Sequence, residues 1–420
     1  MHLKDTTTAR ATGANVRPRF ARWVLAITVA AAVLRLLYCG LLYPSVGPRF
    51  GWKGVDDGFD ELARNLIDGK GYVFRAGGSP NLITPPGYAL VLAGLYTITG
   101  QQAAEGWHLW IFQVLLDALT TVLIAFYALR LLGSVRAALI AASAWALYPQ
   151  IIVYAARPFA EVSFTLLLFL LALATAKFLK DGRSIDAVRV GLLWGAGALF
   201  KEKLLILPAF ILVVHWHRQR KRHRPILVPA GALIATALVI LGPWLIRQHS
   251  VSGRWIPITD RSGKALRSGL RTDYTVPDVQ VDHLVSGLRD TADTNEDDSV
   301  ESGLAHIASD PLGFAWRVVV KSVAFWYWGQ TRVLKANMAI QLPLVALAFL
   351  GFLLWRRRAD LTVPVMFIGY FVIIHALTTV RMRFSLPVMP FVMILSAAAV
   401  ESWLVRRRPI TMDPDRSIPR

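Results

Sequence analysis

Stretches of about 20 mostly apolar residues recur along this chain, and nothing else in its sequence constrains the fold as tightly. So many separate apolar segments, 55% of all residues being hydrophobic, exceed what a water-soluble core needs. In a bilayer each becomes a helix that satisfies its own backbone hydrogen bonds. The clearest cover 23–43, 107–129, 137–154, 159–179, 226–246, 339–355, 361–380 and 386–405. Two shorter ones, 188–200 and 204–217, are separated by Lys201, Glu202 and Lys203 and read as a tight helical hairpin. The expected fold class is an all-α integral membrane protein of about ten transmembrane helices.

The net charge is +19, a balance that by itself suits nucleic-acid binding. Its distribution argues against that partner. The positive clusters stand beside apolar segments: Arg17, Arg19 and Arg22; Arg130 and Arg136; Lys177, Lys180 and Arg183; Arg218 to Arg224; Arg356 to Arg358; Arg406 to Arg408. Basic flanks of this kind mark the cytoplasmic side. Placing all six clusters inside requires an even number of crossings between successive clusters. Spans at 23–43, 107–132, 135–154, 159–179, 188–200, 204–217, 225–246, 339–355, 361–380 and 386–405 meet that requirement.

The expected organisation is therefore a cytoplasmic tail over 1–22, a membrane domain over 23–405 and a second cytoplasmic tail over 406–420. Long outer loops cover 44–106 and 247–338. The apolar segments 86–99 and 312–328 must then stay on the outer side. The first follows Pro85-Pro86 and carries Gly87, Gly94 and Gly100; the second mixes Arg317 and Lys321 with Trp316, Trp326 and Trp328, as a helix lying in the interface does. The single cysteine, Cys39, excludes an intramolecular disulfide. Segment 23–43 is too long for a cleavable leader and is expected to remain as the first helix.

Both outer loops are acidic. The first holds Asp56, Asp57, Asp60, Glu61 and Asp68; the second holds Asp290, Asp293, Glu296, Asp297, Asp298 and Glu301. Residues 55–69 read as a short amphipathic surface helix, with Phe59, Leu62, Ala63 and Leu66 at helical spacing and Gly69 as a left-handed stop. Asp57 suits its N-cap, with Asp60 in the first turn, which leaves Asp56 free for another task. A carboxylate here can take a proton from an attacking hydroxyl; plain solvation is the commoner fate of a surface acid.

Cations at the outer ends of helices run against the charge bias and need a reason to be there. They are Arg157, with Glu161 across Pro158; Lys201 and Lys203; Arg247; and Arg381 and Arg383. An anionic ligand at the outer leaflet supplies a reason, since Arg grips phosphate through its planar fork and Lys as a point charge. Lipid headgroups or loop acids are the structural alternative. Within the spans, Arg35, Gln113 and Asp117 are read as structural, with Arg35 and Asp117 able to pair.

The features also occur in a recognisable order. Asp56-Asp57 leads into Leu62-Ala63-Arg64-Asn65-Leu66, Gly69-Lys70-Gly71-Tyr72 and Pro85-Pro86-Gly87-Tyr88. Glu161, Gly195-x-Gly197-x-Leu199, Pro243-Trp244-Leu245-Ile246-Arg247 and Arg381-Met382-Arg383-Phe384-x-Leu386-Pro387-x-x-Pro390 follow. This series resembles the bacterial protein-mannosyltransferase-like and aminoarabinose-transferase-like families of the GT-C glycosyltransferases. The resemblance implies a multi-pass enzyme of the bacterial cytoplasmic membrane with its active site on the outer face. It would move a sugar from a polyprenyl-phosphate donor to a glycan, lipid or protein acceptor. It puts a catalytic base at Asp56, with Asp57 the alternative, maps the family's next acidic position onto Glu161, and assigns the lipid phosphate to Lys201, Arg247, Arg381 and Arg383. Departures from the family's pattern are Thr84 where a basic residue often precedes the prolines, Lys201 where Arg is common, and Gln248 where Asn is usual.

No His, Cys or carboxylate set has metal-ligand spacing, so no obligatory metal is expected, and at most a loosely bound divalent cation. The rival class is a transporter or lipid flippase. It predicts repeat symmetry and helices broken at mid-membrane, neither of which the sequence displays.

Overall fold

The computed structural model describes residues 5–49, 57–100, 105–220, 226–260, 300–328 and 331–406. Among these every regular element is helical. Helix α1 (Asp5–Leu37) runs through a π turn at Tyr38–Leu42 into α2 (Tyr43–Arg49). It begins inside the segment expected as a polar tail. Two helices of the first loop follow, α3 (Phe59–Ile67) and α4 (Pro86–Thr99). Then come α5 (Trp107–Leu132), α6 (Val135–Ala146), α7 (Pro149–Tyr154), α8 (Glu161–Asp181), α9 (Ser184–Phe200), α10 (Leu207–Arg220) and α11 (Leu227–Ser252). The described chain ends with α12 (Val300–Ser309), α13 (Pro311–Ala324), α14 (Thr331–Trp355), α15 (Thr362–Ala376) and α16 (Met389–Arg406). The acidic run from Asp290 to Asp298 lies outside the described residues.

Among the described residues six helices are long and apolar enough to cross a membrane: Pro18–Pro48, Trp107–Leu132, Glu161–Asp181, Leu227–Ser252, Met338–Trp355 and Met382–Arg406. The other four expected spans are shorter or broken. The span expected over 135–154 divides between α6 and α7, and the break has a visible cause. Pro149 cannot continue the hydrogen-bond ladder and restarts the chain at a helix N-terminus, where its missing N–H costs nothing. The carbonyls of Trp145 and Ala146, at the end of α6, accept from the Arg35 guanidinium at 3.3 and 2.8 Å.

Arg35 also meets Asp117 at 2.5 Å, and Asp117 accepts from the Trp145 indole at 2.9 Å. The pair foreseen from the sequence thus ties α1, α5 and α6 together in the interior. Both members are fully buried, and each is hydrogen-bonded or paired, the condition under which such groups are tolerated.

Close helix packing is built on small residues. A Cβ on Gly191 would overlap the Leu233 carbonyl, and one on Gly195 would sit 3.0 Å from Ile240, so α9 and α11 lie nearly backbone to backbone. Gly351 faces the Leu395 carbonyl in the same way between α14 and α16.

Candidate active site

The site assembles at one end of the bundle from four separate parts of the chain. The first is the entry to α3. Its N-cap is Gly58, in the left-handed region at φ 80°, with no side-chain cap. Asp57 is therefore not the N-cap expected from the sequence. Only glycine turns the chain there without strain, and a Cβ would run into the Phe74 ring. Released from capping, Asp57 Oδ1 accepts from Arg383 Nη2 at 3.0 Å. Asp56 lies outside the described residues.

Helix α3 is held rather than adrift on the surface. Phe59 packs edge-on against Tyr88 of α4, and Asp60, buried, accepts from the Tyr96 hydroxyl at 2.7 Å and pairs with Arg64. Gly69, at φ 71°, stops the helix as expected, and Asn65 reaches forward to the carbonyls of Val73 and Phe74. The Tyr72 hydroxyl donates to the carbonyls of Thr84 and Pro85, and burial pushes its pKa well above the usual range, which keeps it a donor.

The second part is the turn before α8. Glu161 is the first residue of that helix, where the dipole favours an anion, and it is only 1% exposed. Its Oε1 lies 3.3 Å from Lys201 Nζ and 3.9 Å from Arg383 Nε, while Oε2 has no hydrogen-bond partner among the described residues. Just before it, the Arg157 guanidinium lies over the Phe159 ring at 4.4 Å. The Arg157 carbonyl accepts from Gln113 at 2.7 Å, so this intramembrane amide serves to hold the turn.

The third part is the α9–α10 hairpin. Lys201 leaves α9 in extended conformation, and Lys203 lies in a short 3-10 turn, Glu202–Ile206, whose Lys203 carbonyl accepts from the Tyr370 hydroxyl. The fourth is a 3-10 segment, Met382–Val388, that leads into α16. Arg381 precedes it in extended conformation, and the Met382 amide donates to the Trp328 carbonyl at 2.6 Å, which anchors the segment to the end of α13.

Two rings link these parts. Phe384 lies under Lys203, Arg383 and Lys201, at 4.9, 5.3 and 5.7 Å, and Phe159 lies between Arg157 and Arg383, at 4.4 and 5.1 Å. Arg157, Lys201, Lys203 and Arg383 outnumber Asp57 and Glu161, which leaves the cluster net positive and suited to an anion. Sequence reasoning gave neither ring a role, although Phe384 stood in one of its motifs. The available signal was an aromatic residue beside each cation, Arg157-x-Phe159 and Arg383-Phe384.

Arg247 makes a fifth, separate group. Helix α11 continues past it to Ser252, and its guanidinium donates to the Asn81 carbonyl at 2.8 Å and Gln248 Oε1 at 2.6 Å, between the Tyr72 and Trp244 rings. Gln248, buried, donates in turn to the Ile258 carbonyl at 2.8 Å. Among the described contacts Arg247 holds the 72–82 loop and does not meet Glu161 or Arg383.

Residues 84–246 match the family model described as dolichyl-phosphate-mannose-protein mannosyltransferase. This chain is similar to that transferase family. The matched stretch starts at Thr84 and includes Arg157, Glu161, Lys201 and Lys203, while Asp57 and Arg383 fall outside it. Solved structures of ArnT from Cupriavidus metallidurans, bound to undecaprenyl phosphate and in the apo state, are also similar. The likeness covers 90% of this chain and 77% of theirs, at 15% and 16% identity and TM-scores of 0.46 and 0.42. No curated protein matches the chain.

Proposed function

We propose that the chain is a membrane glycosyltransferase that moves a hexose or pentose from a polyprenyl-phosphate donor to an acceptor hydroxyl, with inversion. The observation that carries the reading is the convergence of Arg157, Lys201, Lys203 and Arg383 with Asp57 and Glu161 at one end of an apolar helical bundle. A polyprenyl chain needs the bilayer and its phosphate needs cations at the interface, and this placement suits both.

In the proposed step, the acceptor oxygen attacks the anomeric carbon and the carbon–oxygen bond to phosphate breaks. The electron pair leaves with polyprenyl phosphate, whose charge grows from about −1 to −2 and is stabilised by the cations already in place. The acceptor's proton passes to a carboxylate of the first loop, Asp57 or Asp56, within hydrogen-bond reach of the attacking oxygen. Glu161, buried against Lys201 and Arg383, orients these cations. Arg247 secures the loop beneath the site. Arg381 stands beside Arg383 as a further phosphate ligand. The reading requires no metal, with a divalent ion at the outer carboxylates at most loosely held. It puts the site on the outer face of the cytoplasmic membrane and both termini inside.

The test incubates the purified protein with a panel of polyprenyl-phosphate sugars and acceptors. Release of free polyprenyl phosphate and loss of one donor is the expected result. Binding of donor without consumption of any would favour a flippase and overturn the reading.

A further inference from the structure

Resting on that reading, we propose that Phe384 is a positioning residue whose ring face gathers Lys201, Lys203 and Arg383 around a single phosphate. Three like charges from two segments do not converge unaided, because each repels the others and each is better hydrated apart. Glu161 and Asp57 offset part of that repulsion at Lys201 and Arg383. The centre of the Phe384 ring lies 4.9 Å from Lys203 Nζ, 5.3 Å from the Arg383 guanidinium carbon and 5.7 Å from Lys201 Nζ. All three distances fall within the range over which a ring quadrupole attracts a cation.

The ring is itself held. It lies 5.1 Å from the His375 ring, which packs against Phe371 and Phe325 and donates from Nδ1 to the Phe371 carbonyl. The ring of Phe384 is nevertheless only partly buried, so packing alone does not account for a phenyl at this point. A leucine would fill much of the space. It has no negative face to offer the cations.

The experiment uses the full chain with Phe384 replaced by 4-fluoro-, 3,5-difluoro- and 3,4,5-trifluorophenylalanine, which drain the ring face while barely changing its shape. Binding of undecaprenyl phosphate in mixed micelles is measured for each, with melting temperature and, in the presence of donor and acceptor, kcat and KM. Affinity is expected to fall stepwise, about three- to tenfold at the trifluoro ring, with KM rising, kcat falling, melting temperature unchanged, and Phe384→Tyr close to wild type. Phe384→Leu is expected to bind at least as poorly as the trifluoro ring. If the wild type binds and the fluorinated series binds equally well, Phe384 is packing and the inference fails while the functional reading stands. If the wild type itself does not bind, the functional reading fails, and this inference with it.

Discussion

Asp57 and Glu161 share Arg383 but carry different structural burdens, and that difference makes them separable by mutation. The Asp57 side chain is 30% exposed and pairs with Arg383, a contact of a kind worth about 0–1 kcal/mol. Because Gly58 rather than Asp57 caps α3, Asp57→Asn removes no cap, and its melting temperature is expected to stay near wild type. Turnover is expected to fall about 10²–10⁴-fold, with donor binding retained, if its carboxylate takes the acceptor's proton. Glu161→Gln leaves Lys201 and Arg383 without their buried counter-charge, and is expected to cost about 1–3 kcal/mol of stability as well as donor affinity. Measuring turnover, donor binding and melting for both variants checks the assignment; a fully active Asp57→Asn would pass the base role to Asp56 or Glu161.

The candidate cations themselves were legible in the sequence as charges that run against the expected bias of the helix ends. Their partners were not. Whether Asp57 or Gly58 caps α3 depends on a backbone angle, and Arg247 meets loop carbonyls far earlier in the chain, which the order of residues cannot convey.

At the scale of elements, the Pro85-Pro86-Gly87-Tyr88 motif acquires a physical meaning. Pro85 is the N-cap of α4 in extended conformation and Pro86 its first residue, so the prolines fix where the helix starts. Gly87 then lets α4 approach the end of α9, since a Cβ there would lie 2.8 Å from the Leu199 carbonyl and collide with Phe200. Lys201 is the next residue. Gly87→Ala is therefore expected to cost about 1–3 kcal/mol and to weaken donor binding by displacing the α9–α10 hairpin. Gly94→Ala, in the same helix with nothing within 4 Å of the added methyl, is expected to stabilise by about 0.5–1 kcal/mol through helix propensity alone. Thermal melting of the two variants, with donor titrations, checks the pair; a destabilised Gly94→Ala or an unaffected Gly87→Ala would remove the close approach as the cause. Hydropathy located these elements well because burial in lipid is an average property of a stretch. It was blind to the break at Leu147 and to the close approach at Gly87, which depend on single residues.

For the whole molecule, the ion pairs can be set beside the path that the basic clusters implied. Asp57, Glu161, Lys201 and Arg383 meet at one end, and the sequence path puts all four on its outer side. Arg136 with Glu401, Lys177 with Asp181 and Asp186, and Arg218 with Asp360 pair among residues that the same path puts inside. For the pairs separated by expected spans, a single miscounted crossing between the partners would set them a membrane's thickness apart, about 30 Å, whereas Lys177, Asp181 and Asp186 have no crossing between them. The pairs leave the orientation to the charge bias alone. Arg357 and Ser184, both exposed, stand on the proposed inner side, and Ser79, exposed in the first loop, on the outer. In a Cys39→Ala background a cysteine at Ser79 is expected to react with an impermeant thiol reagent in intact cells. Cysteines at Ser184 or Arg357 are expected to react only after the membrane is opened. The reverse pattern would turn the molecule over, put the cation cluster in the cytoplasm, and with it require a donor presented from the inner leaflet.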